Sequence, residues 1–545
     1  MEPRMLRNHI GHPTYTIQAD APIHRLPPEL LSSVFLLQRT PYWSKSMGIP
    51  WLTVTQVCRR WRDIAYECAT LWSYILALDQ FPPHIIEKSL QLSKSAPLDL
   101  KLHLFDELVL PLMGEAVSRI RRLHVVLPTR NWEILQTFFA SPAPLFESLS
   151  LHLPTTTSNP RRLDSLFSGI TQRLRHLSIS GCGVDFNASF LTNLTILEIR
   201  DPEPQFTAPE FLSVLPKFPH LRSLRVSNIL ELGTDGDPDT YAPIPPNTKI
   251  VELSLLDLLS IHGSCYAQDI NLLSYLSVPP TTTLLFSSGY PHQYGDPFAS
   301  IPDLLKVQSS GPHKSGDFAP TKIDISPLYG RLKLHMWNSQ KPLCAFKLDF
   351  LDDNRRFLIS DETASKYLFS VPSLSSITEF STNCFVTPFA WPIISSCLPQ
   401  LQRLVVEGGT WVATILQVII NDEKSGGSLP SNWVPIFPRL RSLVVEKTEF
   451  DDDCNRYLVP ALQRRKEVSC GLVYLRIHDC LGVDERLMES LKEVEMLSFE
   501  WSIEIRGDDS EDEDESLEAR KEQDDGELDL RDLTTRYEDY YVDTW

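Results

Sequence analysis

Paired cysteines and long apolar runs are both missing from this chain of 545 residues. The ten cysteines occur singly, with no Cys-x-x-Cys pair, which indicates reduced thiols and not a disulfide framework. The first residues, MEPRMLRNHIGHPTYTIQ, contain no apolar core of a signal peptide, and the apolar stretch WVATILQVII (Trp411 to Ile420) is too short to span a bilayer. We therefore expect a cytoplasmic or nuclear protein, or one found in both compartments, without a membrane partner.

A surplus of basic residues is missing as well. The formal net charge is −19, and residues 507–545 carry 17 acidic and 4 basic side chains, a net charge of −13. The remaining chain therefore has a net charge of only −6. Proteins that bind nucleic acids neutralise phosphates with a basic surface, so we expect no nucleic-acid partner.

The sequence motifs of common enzyme classes are also absent. There is no GxxxxGK[ST], GxSxG, HExxH or glycine-rich dinucleotide turn, and the 14 histidines lack the spacing of metal ligands. Cys470, His478 and Cys480 lie close enough in sequence to suggest zinc, but they span a strand and its turn, where a cysteine commonly packs. These absences predict a protein that is not an enzyme and that has no catalytic residue, cofactor or metal.

Two short amphipathic helices are predicted near the N-terminus. Pro27 and Pro28 suit a first helical turn, because a proline there loses no helical hydrogen bond, and the apolar residues that follow share one face. A second helix is expected within VTQVCRRWRDIA, residues 54–65, whose apolar residues recur at spacings of three and four. So small a segment rarely buries this much apolar surface alone, so a partner or the rest of the chain should cover it.

These helices carry a family pattern: L-P-x-E-L-L-x-x-V-F at Leu26–Phe35, V-C-R-x-W-R-x-I-A at Val57–Ala65, and a following Leu71 and Trp72. Residues 23–78 thereby resemble the F-box domain, in the form common in fungal (agaric-type) families, with a longer loop between the helices. The resemblance implies docking onto the Skp-type adaptor of a cullin-RING ubiquitin ligase. The residues implied in that contact are Leu26, Pro27, Leu30, Leu31, Phe35, Val57, Cys58 and Trp61.

A short phrase recurs from about residue 95: an apolar residue, two others, an apolar residue, one other, and an apolar residue. It begins at Ile120, Phe146, Leu174, Leu194, Leu221, Ile250, Leu401, Leu440, Leu472 and Val494. Each phrase predicts a strand, with helical stretches such as WEILQTFF between strands, and such a period indicates stacked units. Residues 79–505 thereby resemble an irregular leucine-rich-repeat array. The predicted fold class is α/β: a small N-terminal helical F-box followed by an irregular leucine-rich-repeat-like solenoid.

The stretch near residues 260–372 lacks clear copies of the phrase. It contains a helix-like INLLSYL, a strand-like TTTLLFS and the alternating segments RLKLHMW and CAFKLDFL. Degenerate repeats would produce these segments, and so would a small inserted β-sheet, because alternation marks any half-buried strand. The two ends of the chain, residues 1–22 and the acidic tail 506–545, are expected to be disordered.

Outward-facing residues of the phrases are the candidates for binding a target protein. The third and fifth residues of a phrase alternate with its buried residues, which places Arg122, Arg225, Arg403, Tyr474 and Arg476 on the open side of the sheet. Arginine and tyrosine on a rigid surface are frequent interaction residues. A solvated sheet face without a partner is the alternative at each position, and the acidic tail could also cover a basic face.

Together these features predict a substrate-receptor subunit of a Skp-cullin-F-box ubiquitin ligase, connected through the adaptor to the cullin and RING subunits. In that role the helices would bind the adaptor, and the repeats would hold an unknown target protein for ubiquitin-dependent degradation. The alternative is an F-box and repeat scaffold without a role in ubiquitin ligation. Co-purification with cullin separates the two.

Overall fold

The computed structural model shows a mixed α/β protein in two compact units. One unit comprises residues 1–123 with 525–545, and the other comprises residues 124–524. The structure describes residues 22–37, 50–77, 83–103, 113–126, 132–154, 161–163, 166–167, 171–231, 244–245, 248–263, 266–279, 281–288, 320–328, 331–338, 346–351, 358–359, 372–407, 415–416, 418, 435–494 and 497–502. Apart from Pro22, the segments predicted to be disordered, 1–22 and 506–545, lie outside the described residues. No described helix is both long enough and apolar enough to cross a membrane.

The described part of residues 1–123 begins with helices, as the sequence predicts. They are α1 (Pro28–Leu37), α2 (Val54–Val57), α3 (Arg59–Glu67), α4 (Ala69–Trp72) and α5 (Pro83–Leu92), with 3₁₀ turns at Pro22–Arg25, Pro50–Thr53 and Gly114–Arg119. Strands β1 (Tyr74–Ala77) and β2 (Leu98–His103) pair in parallel, and α5 connects them. The predicted second helix is broken at Cys58, whose extended backbone (φ −157°, ψ 170°) separates α2 from α3.

Residues 124–524 alternate strands with helices, and β3 (Ile120–Val126) leads into them. The strands that follow are β4 (Ser148–His152), β5 (Arg162–Leu163), β6 (His176–Ser180), β7 (Gly183–Val184), β8 (Ile196–Arg200), β9 (Ser223–Ser227), β10 (Val251–Glu252), β11 (Leu258–Gly263), β12 (Leu276–Ser277), β13 (Thr283–Ser288), β14 (Pro320–Leu328), β15 (Arg331–Asn338), β16 (Phe346–Leu351), β17 (Leu358–Ile359), β18 (Glu379–Thr382), β19 (Phe385–Val386), β20 (Arg403–Glu407), β21 (Ser442–Glu446), β22 (Tyr474–His478) and β23 (Ser498–Ser502). The helices are α6 (Trp132–Phe139), α7 (Ala208–Val214), α8 (Tyr266–Ser274), α9 (Ala390–Cys397), α10 (Asp452–Glu467) and α11 (Glu485–Lys492).

Strands β4, β6, β8, β9, β11 and β13 pair in parallel in that order, without a shift of register. Their inward side chains form two buried apolar columns. The first column is Leu149, Leu177, Leu197, Leu224, Leu259 and Leu284, and the second is Leu151, Ile179, Ile199, Val226, Ile261 and Phe286. The phrase produces these columns because its fourth and sixth residues are apolar and lie on the same face of a strand.

The stretch without clear phrases joins two parallel blocks of strands. Strand β13 pairs in parallel with β16, and β14 pairs in parallel with β18. Between them, β16 pairs with β15 and β15 with β14, both antiparallel. Parallel strands therefore continue as far as β13 and an antiparallel insertion follows, and the degenerate repeats of the first interpretation stay a prediction.

The strands of the last block, β18, β20, β21, β22 and β23, again pair in parallel.

Two phrases, one at Ile250 and one at Val494, do not form the strands that the sequence predicts. The phrase at Ile250 forms only β10, which pairs with β12, and the strand beside β9 is β11. In the last phrase Phe499, and not Leu497, lies opposite Leu475. This shift of two residues keeps the same faces inward, since strand side chains alternate with a period of two. No sheet of the described residues closes on itself, and the leucine-rich-repeat arrangement stays a prediction.

Candidate functional site

A small apolar core holds the first four helices together. Leu31 and Phe35 of α1 are fully buried, at 0% exposure, in a cluster with Ile64 and Ala65 of α3 and Trp72 of α4. The Trp72 indole Nε1 donates to the Ala65 carbonyl oxygen over 2.7 Å, so this buried N–H is satisfied. The core thereby determines which apolar side chains of the helices remain outside it.

Local contacts fix the start of α3 against α1. The Sγ of Cys58 caps α3 by accepting the backbone N–H of Trp61 over 3.4 Å. The Arg60 guanidinium donates to the Leu26 carbonyl oxygen over 2.6 Å, and the Trp61 ring packs on Phe35 with ring centroids 5.1 Å apart. These contacts hold the residues just before α1 and the first turn of α3 in a defined arrangement.

Helices α1 and α2 present apolar side chains to solvent. Leu30 is 53% exposed and Val57 is 58% exposed. Val34 and Leu37 are also exposed, and their spacing of four and seven residues from Leu30 places the three along one stripe of α1. Together with exposed Ile23 we call these residues the exposed apolar set.

Exposed apolar side chains are concentrated in this region. Of the thirteen large apolar or aromatic side chains that are exposed in the described part of the chain, six lie between residues 23 and 77: the exposed apolar set and Tyr66. Single exposed apolar residues are ordinary on a protein surface, whereas a concentration of them marks an interaction site. The surface of α1 and α2 is therefore the candidate docking surface of this unit.

Six of the eight residues implied in adaptor contact reach the surface at least in part. These are Leu26, Pro27, Leu30, Val57, Cys58 and Trp61. Leu31 and Phe35 instead form the core, so their side chains support the surface from beneath. Val34 and Leu37 are exposed on the same helix but were not among the predicted site residues, although their helical spacing from Leu30 indicates a shared stripe.

Three of the five predicted target-binding residues lie in the last block of strands, and each contacts a glutamate on a neighbouring strand. The pairs are Arg403 Nε with Glu379 Oε1 at 3.7 Å, Arg476 Nε with Glu446 Oε1 at 3.8 Å, and the Tyr474 hydroxyl with Glu500 Oε2 at 2.8 Å. Two effects raise the pKa of Tyr474 above its ordinary value: partial burial, which is the larger, and the hydrogen bond to Glu500. Exposed pairs of this kind contribute about 0–1 kcal/mol to the stability of the fold. Each of the three side chains therefore already has a partner within the sheet.

A polar network covers the outward side of the earlier strands. His124 Nδ1 lies 3.0 Å from Ser150 Oγ, and the same hydroxyl lies 3.0 Å from His152 Nε2. Ser148 Oγ lies 3.1 Å from His176 Nδ1 on the next strand. Hydrogen bonds between serine hydroxyls and histidine rings thus connect the outward sides of β3, β4 and β6.

Glu198 on β8 belongs to the same side of the sheet but is only 4% exposed, although the phrase pattern predicts a solvent-facing residue. Its carboxylate accepts hydrogen bonds from Arg200 Nε over 2.8 Å and from Ser178 Oγ over 3.1 Å. Burial acts to raise the pKa of Glu198, but the charge and hydrogen bond of Arg200, the charge of Arg225 and the Ser178 bond outweigh it and lower the pKa. Glu198 is therefore ionised at neutral pH.

The remaining two predicted target-binding residues are Arg122 on β3 and Arg225 on β9, both half-buried. Arg225 lies in register between Glu198 on β8 and Ser260 on β11. Its Nε is buried without a hydrogen-bond partner, and its guanidinium donates no hydrogen bond to any residue that the structure describes. Arg225 thus differs from Arg403 and Arg476, each of which lies within 3.8 Å of a glutamate carboxylate, although the charge of Arg225 also acts on Glu198.

Among the described residues, no group of three or more His, Cys, Asp or Glu side chains could hold a metal ion. Cys480, which was considered as a zinc ligand, packs with its Sγ 3.6 Å from the Val445 carbonyl oxygen. His478 Nδ1 hydrogen-bonds the Ser502 hydroxyl. Burial raises the pKa of the Cys480 thiol, as expected for a structural cysteine.

Residues 23–77 match the sequence model of the F-box-like family. The matched segment contains α1 to α4, β1 and the exposed apolar set. The chain therefore has an N-terminal F-box-like domain, a kind of adaptor-binding module that is often part of a Skp-cullin-F-box ubiquitin ligase. No curated protein matches the chain significantly.

Proposed function

We propose that this chain is a substrate-receptor subunit of a Skp-cullin-F-box ubiquitin ligase and that its F-box-like domain docks on a Skp-type adaptor. The observation that carries the proposal is the exposed apolar set within the matched domain. The core of the domain is already filled by Leu31 and Phe35, whereas Leu30 and Val57 remain more than half exposed. Covering that surface with an apolar partner would gain roughly 25 cal/mol for each Å² removed from water.

The parallel strands of residues 124–524 support the second part of the proposal, which is that an irregular leucine-rich-repeat-like array holds the target. Their matched register gives a rigid surface with regularly spaced outward side chains. In this role the chain is not an enzyme and needs no cofactor. It accelerates ubiquitin transfer by bringing the target close to a ubiquitin-conjugating enzyme on the RING subunit, in the cytoplasm, the nucleus or both.

Affinity purification of the tagged full chain, co-expressed with a Skp-type adaptor, a cullin and a RING subunit, tests this proposal. Recovery of adaptor and cullin together is the expected result, and the variant Leu30→Asp with Val57→Asp should recover neither. Recovery of the adaptor without cullin would favour the scaffold without a ligase role. Failure of the unmodified chain to recover the adaptor would overturn the proposal.

A further inference from the structure

We propose that the outward side of β4, β6, β8, β9 and β11 binds an acidic segment of a target protein, with a carboxylate of that segment held by Arg225. This inference rests on the proposed function, because it names the chemistry of the target that the receptor would hold. We call this surface the Arg225 face. It consists of the three outward residues of each strand, which alternate with the two buried apolar columns.

The composition of the Arg225 face favours an anionic partner. Its fifteen positions hold seven serines, three histidines, two arginines, one glutamate, one isoleucine and one leucine. With the histidines neutral, two arginines against one glutamate give a net charge of +1. The positive charge attracts acidic segments and repels basic ones.

Arg225 has unused hydrogen-bonding capacity on the β9 strand of this face. The adjacent Glu198 is already occupied, because one of its carboxylate oxygens accepts from Arg200 and the other from Ser178. Arg225 Nε and the hydroxyl of Ser223, two residues earlier on β9, are both buried without a partner. Because Nε itself has no access to solvent, a bound acceptor would reach the outer nitrogens of this half-buried guanidinium, which make no hydrogen bond to a described residue.

A carboxylate fits this position better than a more highly charged group does. The guanidinium forms a planar fork that matches the two oxygens of a carboxylate. Glu198 lies beside Arg225 in register, and a ligand with two negative charges would meet that like charge with only one available arginine opposite it. An aspartate or glutamate side chain carries one charge and makes the same two hydrogen bonds.

The last block of strands lacks these properties, although its phrases are similar. The outward positions of β18, β20, β21, β22 and β23 include four glutamates and two arginines. Both arginines lie within 3.8 Å of a glutamate carboxylate. That part of the sheet is therefore net negative and internally paired, and Arg476 serves as a matched control for Arg225.

The test is fluorescence anisotropy with the full chain and a fluorescein-labelled peptide of alternating glutamate and glycine, compared with the same peptide carrying glutamine. We expect the glutamate peptide to bind and the glutamine peptide not to bind. The ionic strength is about 0.1 M, at which charges are screened over about 10 Å. Arg225→Gln should weaken it about 10- to 100-fold, the value of charge-assisted hydrogen bonds. Arg476→Gln should change it by less than about twofold. Arg225→Lys, which keeps the charge without the fork, should give an intermediate affinity, and thermal unfolding verifies that each variant folds.

Three results would overturn this inference: no binding of the glutamate peptide to the unmodified chain, equal weakening by Arg225→Gln and Arg476→Gln, or binding only after residues 507–545 are removed. The last result would assign the face to the acidic tail of the chain itself. Adaptor recovery with the same variants separates this inference from the proposed function. Normal peptide binding with no adaptor recovery contradicts the ligase role alone, and the reverse pattern contradicts the Arg225 face alone.

Discussion

Replacing Leu30 and Val57 together by aspartate should abolish adaptor binding while the F-box-like domain stays folded. Full burial of a leucine or valine side chain is worth about 1.5–3 kcal/mol. With 53% and 58% of these side chains exposed, about half of that value, roughly 1 kcal/mol each, remains to be gained on docking. Forcing two carboxylates into an apolar contact adds several kcal/mol more. We therefore expect at least about 100-fold weaker binding, or about 2.7 kcal/mol.

Isothermal titration of the full chain with purified Skp-type adaptor measures this loss, and thermal unfolding measures stability. The matched control is Leu255→Asp with Val473→Asp, at side chains that are 47% and 52% exposed but lie outside residues 23–77. The control should bind the adaptor like the unmodified chain. If the Leu30 and Val57 variant binds within about threefold of the unmodified chain, a difference below 1 kcal/mol, the docking surface is elsewhere.

Three further predictions concern stability. Phe35→Ala should destabilise the F-box-like domain by about 3–5 kcal/mol, measured by urea unfolding, because it leaves a cavity in the core and does not remove a surface contact. Burial raises the pKa of Asp269 to about 8, so the folded protein keeps this carboxyl protonated where the unfolded chain does not. The contribution of this group to the free energy of unfolding is therefore highest below about pH 4 and decreases as the pH rises from 4 to 8. Asp269→Asn should flatten that fall in melting temperature, and an unchanged pH profile would contradict the assignment. Arg465→Met should cost about 2–4 kcal/mol, since it removes donors 2.8 and 3.0 Å from the carbonyl oxygens of Ile436 and Phe437; no loss in urea unfolding would refute this.

The sequence predicts the strands well where one alternating segment fits and less well where two compete. Around Leu174 or Leu221 a single phrase is available, and its apolar residues continue both buried columns. The segment IVELSLLDLLSI contains two overlapping alternations, and the sheet uses the second, which places Leu259 and Ile261 in the columns. The choice depends on register with β9, a contact between distant residues that local periodicity does not encode.

The candidate docking surface shows a similar division. The spacing of Leu30, Leu31, Val34 and Phe35 predicts a common face of α1, and the structure confirms that these residues belong to one helix. Local spacing does not say which edge of this face meets the core. The packing of α3 and α4 decides that Leu31 and Phe35 are buried and that Leu30 and Val34 are exposed.

The special position of Arg225 could not be predicted from the sequence. The phrase pattern places all three arginines at outward positions, Arg403 at the third residue of its phrase and Arg225 and Arg476 at the fifth, and it predicts no difference in their pairing. The difference arises from neighbouring strands, where Glu379 and Glu446 lie close to Arg403 and Arg476. At β8 the glutamate is instead bound by Arg200, two residues along the same strand, and this leaves Arg225 with unused donors.

Hydrogen exchange of the full chain with and without purified Skp-type adaptor locates the docking surface without any mutation. We predict a complex in which the backbone amides of α1 and of the segment from α2 into α3 gain protection. Amides of the strands in residues 124–502 should exchange at unchanged rates. Absence of a complex, or protection confined to those strands, would contradict the account.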